Sequence, residues 1–152
     1  MVDLVTRRAG QALAGLLAAD GLVHLYWATG STWPAGDART LSLAVLGTAV
    51  PFTPQVVLPL AAALFTASAA VWARTFGRGG RPAAFVTGAV AVGLGTRGLV
   101  GAMWALGPDA TIDSESPIFH GLNLLLYTPL CLGFAFAALR VLKAPRREKV
   151  SP

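Results

Sequence analysis

Four long apolar stretches, Ala9 to Thr29, Gln55 to Ala73, Ala83 to Leu106 and Pro117 to Leu142, leave this chain few ways to fold. Each reaches, or falls about one residue short of, the roughly 20 residues that a helix rising 1.5 Å per residue needs to cross a ~30 Å hydrocarbon layer. Of the 152 residues, 55% are hydrophobic and 12% charged, against roughly 25% charged in an ordinary soluble domain. So short a chain has too little interior to hide that much apolar surface from water, so much of it must face lipid. Backbone groups in lipid must hydrogen-bond within their own segment, which selects helices over open strands. The expected fold is therefore all-α, an integral membrane four-helix bundle. It forms a single domain over residues 1–144, with helices at about 9–29, 55–73, 83–106 and 117–142 and a short disordered cytoplasmic tail at 145–152. Pro54, Pro82 and Pro117 suit the first turns of the last three helices, where a missing N–H costs nothing.

Basic residues set the expected orientation, because loops on the cytoplasmic side keep Lys and Arg in excess. Arg7 and Arg8 precede the first helix. Arg74, Arg78 and Arg81 join the second to the third, and Arg140, Lys143, Arg146, Arg147 and Lys149 follow the fourth. With four spans, ten of the twelve basic residues share one side, which places both termini in the cytoplasm. The opposite side holds Arg39 with Asp37, Asp109, Asp113 and Glu115. The implied location is a bacterial-type plasma membrane. The first stretch is expected to be a retained helix rather than a cleaved signal, because Asp20 and His24 lie within it and no small-x-small cleavage pattern ends it.

The first outer loop, Gly30 to Pro54, carries its own apolar piece, Leu41 to Val50. That piece is too short to span, so it is expected to be an interfacial or re-entrant segment capping the outer face. Pro51 and Pro54 oppose its being an extension of the second helix.

Several function classes are excluded or weakened. The formal net charge of +5 reflects topology, and no nucleic-acid motif accompanies it. A single cysteine, Cys131, rules out an intrachain disulfide. The chain has no His-Glu-x-x-His, no phosphate-cradling loop and no Gly-x-Ser-x-Gly. Gly93 to Gly98 fits the dinucleotide fingerprint by letter count, yet it falls inside a membrane helix rather than at a strand-to-helix turn. No cofactor and no metal site is expected: His24 and His120 are few ligands, and Arg97 would oppose a cation.

What remains is a set of polar side chains at membrane depth, where each costs at least ~2.5 to 3.5 kcal/mol and so needs a reason. Asp20, His24 and Trp27 share a face of the first helix. Arg97 lies in the third, between Gly93 and Gly101, glycines that let a neighbouring backbone approach. His120, Asn123 and Tyr127 share a face of the fourth. Counted at 1.5 Å per residue from the cytoplasmic ends, their depths are roughly 16 Å for Asp20, 22 Å for His24, 21 Å for Arg97, 20 Å for Tyr127, 25 Å for Asn123 and 30 Å for His120. The expectation is a polar cluster between the first, third and fourth helices, with Asp20 and Arg97 as its charge pair. Trp27, Trp33 and Trp104 read as an aromatic belt, Pro129 as a kink and Cys131 as a small core residue.

Two readings of that cluster stay open. In the first, a membrane enzyme performs acid/base chemistry (isomerisation, cyclisation or epoxide opening) on an apolar lipid or isoprenoid-like substrate. Asp20, His24 and Arg97 would be the catalytic groups and Trp27, His120, Asn123 and Tyr127 would bind the substrate. In the second, a non-enzymatic membrane subunit or lipid-binding module uses the same cluster to set helix packing. The expected partners are the lipid bilayer and an apolar small molecule, with no nucleic acid. A homo-oligomer is compatible with so small a bundle.

His24-Leu25-Tyr26-Trp27-Ala28 in the first helix, an arginine like Arg97 in the third, and Leu126-Tyr127-Thr128-Pro129-Leu130-Cys131 in the fourth resemble an actinobacterial-type family of small four-helix membrane proteins, domain of unknown function 3995. The resemblance implies the same helix layout and the same polar residues, without naming a reaction. Its members often carry an acidic residue about one turn before the tyrosine, where this chain has Asn123.

Overall fold

In a computed structural model the described residues are 4–106 and 117–144. They form α1 (Leu4–Ala28), α2 (Ala38–Leu46), α3 (Pro54–Thr75), α4 (Gly80–Leu106), α5 (Pro117–Leu122) and α6 (Thr128–Lys143), with a π-helical turn at Asn123–Tyr127 joining α5 to α6. No strand occurs among the described residues. The expected acidic loop residues Asp109, Asp113 and Glu115, and the tail from Pro145, lie outside them.

Three helices are long and apolar enough to cross a membrane: Pro54–Thr75, Gly80–Ala105 and the composite Ile118–Lys143. At 25 residues α1 has the length, but Gln11, Asp20 and His24 dilute its apolar run. It also starts five residues before the apolar stretch, because hydropathy marks where lipid contact begins while hydrogen bonding continues through Arg7 and Arg8.

The helices pack through small residues and turn their large ones outward. α1 lies along α3 and also touches α6; α4 lies along α6 and also touches α3. The common core joins Leu13, Ala14 and Leu17 of α1 to Val71, Ala91 and Ala138. On α4, Gly95 faces Ala135 and Gly98 faces Leu132, so these glycines set the closeness of α6. Leu22, Phe85, Val92, Leu99, Met103 and Phe136 are all more than half exposed, the reverse of a soluble protein and the arrangement lipid favours. At one end of the molecule, buried Arg74 donates through Nη2 to the carbonyls of Leu142 (2.8 Å) and Ala144 (3.3 Å), satisfying acceptors that the end of α6 leaves open.

The segment expected at Leu41 to Val50 is a short capped helix, beginning at Ala38, that packs on α5. Asp37 caps it, accepting from the Thr40 N–H at 2.8 Å and the Thr40 hydroxyl at 2.9 Å. These bonds, the backbone one first, hold its carboxyl below the ordinary value. Gly47 closes the helix in the left-handed region, with φ 74°. It also lies so close to the Phe119 ring that a Cβ would approach it at 2.8 Å. Leu41 and Ser42 are buried beneath, and the Ser42 Oγ donates to the Thr48 carbonyl and accepts from the Val50 N–H, each at 2.7 Å.

Candidate functional site

The fourth long helix changes pitch where its polar residues lie. Pro129 has no N–H to offer the preceding turn. Just before it the ladder widens, so that the Thr128 N–H bonds to the Asn123 carbonyl five residues back. Such single π turns are frequent at functional sites. The kink expected at Pro129 is thus a π turn immediately before it.

Asn123 is 1% exposed, and both ends of its amide are used. Its Nδ2 donates to the Gly101 carbonyl at 2.8 Å. Its Oδ1 accepts from Arg97 Nη1 at 2.9 Å. The amide orientation follows, since a guanidinium can only donate and a carbonyl only accept. Gly101 makes the arrangement possible: a Cβ there would collide with the Thr128 Oγ1 and approach Arg97 Nη1 at 2.7 Å and Asn123 Oδ1 at 2.9 Å. The Thr128 hydroxyl is buried and has no hydrogen-bond partner among the described residues.

Arg97 is half-buried between aromatic rings. Its guanidinium carbon lies 5.5 Å from the centre of Trp104 and 5.8 Å from that of Tyr127, both within cation–π range. Among the described residues no carboxylate reaches it, and of its five N–H groups only Nη1 has a side-chain acceptor. Phe119 leans on Trp104 and Tyr127 at centroid distances of 6.2 and 6.5 Å. The Tyr127 hydroxyl points at the Ala44 carbonyl of α2, at a long 3.4 Å. The short helix α2 thus covers this end of the site.

The residues of α1 form a separate group. His24 is buried and donates through Nδ1 to the Asp20 carbonyl at 2.9 Å, which requires the proton on Nδ1. The Asp20 carboxylate lies 3.4 Å from the same nitrogen, with its side chain 49% exposed. Trp27, 7% exposed, sets its ring edge-on to His24 at 5.1 Å and to Phe52 at 5.3 Å, and donates to the Trp33 carbonyl at 3.1 Å.

The structure therefore divides the expected cluster. Arg97, Asn123 and Tyr127 come together, as do Asp20, His24 and Trp27. The expected Asp20–Arg97 pair does not form: Asp20 meets His24, and Arg97 meets Asn123. The reason is helix placement, since α1 and α4 pack chiefly on α3 and α6 rather than on each other. His120 is exposed and joins neither group. Of the three belt tryptophans only Trp33 is exposed, while Trp27 is buried and Trp104 half-buried. Sequence reasoning missed Trp104 as the ring beneath Arg97, although its seven-residue spacing puts it on the same helical face. It also missed Thr128 and Phe119, whereas the cover that α2 provides was expected of the segment Leu41 to Val50.

No curated protein and no solved structure matches the chain. The family described as protein of unknown function DUF3995 matches over residues 17–138, which include both polar groups, and the chain belongs to that family.

Proposed function

We propose that the protein is a membrane module that binds an anionic amphiphile, its head held by Arg97 against Trp104 and Tyr127 beneath α2. In this reading α1 crosses the bilayer with the three more apolar helices, and both termini are cytoplasmic. The observation that carries the reading is the guanidinium of Arg97. It is held at membrane depth with donors to spare and no carboxylate among the described residues. A charge in that setting is costly unless something neutralises it, and four unused N–H groups beside two rings suit a carboxylate or phosphate. The test is saturable binding of an anionic amphiphile, palmitate, to the protein in phosphatidylcholine nanodiscs. Binding is expected to fall at least about tenfold in Arg97→Gln, the loss of one charge-assisted contact. Equal binding by the variant would refute the reading.

A second reading, acid/base chemistry on an isoprenoid-like substrate, draws support from one observation, the contact between the Asp20 carboxylate and His24 Nδ1. That pair resembles the carboxylate-oriented imidazole of general acid/base sites. Loss of turnover in His24→Ala with an unchanged melting profile would favour it over the binding module. Loss of folded protein would assign His24 to packing.

A further inference from the structure

Basic chain segments meet at one end of the bundle, and specific contacts draw them together. Gly10 of α1 lies so close to α3 and α6 that a Cβ there would collide with the Thr75 hydroxyl and approach Val141 Cγ2 at 2.9 Å. One turn before it, Arg7 sets its guanidinium carbon 4.6 Å from the centre of Phe76, the residue after Thr75. That ring takes the face of the guanidinium and leaves its N–H edge to other acceptors. Arg74 donates to the Leu142 and Ala144 carbonyls, which brings the chain at Lys143 beside the end of α3. The link from α3 to α4 is a tight turn. The Arg78 N–H donates to the Ala73 carbonyl at 2.7 Å, and Gly77 and Gly79 adopt φ 73° and 77°, values that favour glycine. The turn returns Arg81, at the start of α4, to the same end.

Arg7, Arg8, Arg78, Arg81 and Lys143 are all exposed there. The acidic residues among the described ones are Asp20, about 15 Å beyond Gly10 along α1, and Asp37, which caps α2 at the opposite end. Residues 1–3 and 145–152, which flank the basic end in the chain, hold Asp3 and Glu148 against Arg146, Arg147 and Lys149. They add positive charge rather than cancel it. An orientation signal needs only basic residues in each flanking segment. It needs neither the ring beneath Arg7 nor a turn that folds Arg78 and Arg81 back toward the end of α6. Basic side chains gathered from separate helices, where the bundle leaves the hydrocarbon, suit a ligand with more than one negative charge that is already held at the membrane surface. We propose that this end of the bundle binds a phospholipid head group carrying two phosphates, with Arg7, Arg78, Arg81 and Lys143 as donors. Two linked phosphates engage two of these segments at once, and the linkage supplies the second at high effective concentration. The site does not rest on the reading of Arg97.

The test is native mass spectrometry of the full-length protein in detergent micelles, titrated with cardiolipin or with phosphatidylglycerol at twice the molar amount, so that phosphate is matched. The protein is already folded, so the readout is separate from any role of these residues in orientation. A one-to-one cardiolipin adduct is expected to saturate and to form at least about tenfold more tightly than the phosphatidylglycerol adduct. Arg78→Gln and Arg81→Gln should each weaken it about fivefold, the order of one basic residue at an anionic surface, and added salt should weaken it further. Arg39→Gln, on α2 at the opposite end, should leave it unchanged. If either turn variant fails to fold, Lys143→Gln, at an exposed position near the end of α6, takes its place. Phosphatidylglycerol that binds as tightly as cardiolipin at matched phosphate would overturn the proposal, leaving a charged surface with no defined site. So would glutamine variants that bind cardiolipin like the parent. Displacement of cardiolipin by inorganic pyrophosphate alone would also overturn it, because the ligand would then come from solution rather than from the bilayer.

Discussion

Arg97 Nη1 donates to Asn123 Oδ1 at 2.9 Å, joining two helices through residues 26 positions apart in the chain. Asn123 is neutral, so the bond fixes the guanidinium in place without cancelling its charge. Replacement by Asp would cancel it. Asn123→Asp is expected to lower the affinity for palmitate at least about tenfold, the order of one charge-assisted contact. Asn123→Leu should leave Arg97 and the Gly101 carbonyl without this partner and cost about 1–3 kcal/mol in stability. Binding isotherms and thermal unfolding in detergent measure the two effects. An Asp variant that binds the anion as well as the parent would contradict the proposed site.

Two glycines flank Arg97 on α4 and should behave oppositely. Gly101→Ala places a methyl against Thr128 Oγ1, Arg97 and Asn123, all held by bonds or packing. The expected cost is about 1–3 kcal/mol, as for other overpacked sites. Gly93 meets nothing within 4 Å, so Gly93→Ala should be neutral or stabilise the helix by up to about 1 kcal/mol. Unfolding in mixed micelles would compare the pair directly, and equal effects would show that the glycines are not distinguished by packing.

At the far end of the fold, Arg74→Met should fray the last turn of α6. Its Nη2 donates to the Leu142 and Ala144 carbonyls, and bonds from a charged donor contribute about 1.5–3 kcal/mol. Lys143→Met, at an exposed position of the same turn, should change little. Amide exchange over residues 140–144 is the measurement. Unaltered protection in Arg74→Met would show that other groups hold this end.

The short helix α2 should respond to acid through its cap. The folded-state value of Asp37 is depressed by the Thr40 N–H and hydroxyl, so its stabilisation is present above the unfolded value and is lost as pH falls through the folded one. Seating of α2 is therefore expected to weaken only below the ordinary carboxylate range. Asp37→Asn keeps a capping oxygen and should flatten the response, whereas Asp37→Ala should lose the cap at every pH. The Thr40 amide resonance reports on both; an Asn variant that titrates like the parent would rule out the cap as the titrating group.

Trp104 shows where sequence reasoning stops short. Its place near a helix end suggested an interfacial side chain, and only packing reveals it beneath Arg97. Gly101 was more legible, because a glycine four residues from a buried arginine already implies a close neighbour. That neighbour, Asn123, shares a face with Tyr127 by simple periodicity, yet Pro129 gave no direct sign that a π turn would turn Asn123 inward. α2 was half-read: its apolar residues marked an outer cap, while Asp37 and Gly47, the residues that bound it, lay among the polar positions of a loop.

The sequence by itself determined what depends on runs of residues: helices rather than strands, apolar surfaces turned outward, basic residues gathered in short segments, and polar side chains placed along each helix. Those properties follow from hydropathy and from 3.6-residue periodicity, which are local. Which polar groups of different helices meet was decided only by tertiary structure. α1 and α4 each pack on α3 and α6, so Asp20 stays with His24, and Arg97 meets an amide instead of a carboxylate. Helix neighbours are chosen by the fit of glycines and small residues along entire helices, a sum over many weak contacts that no single pair of charges outweighs.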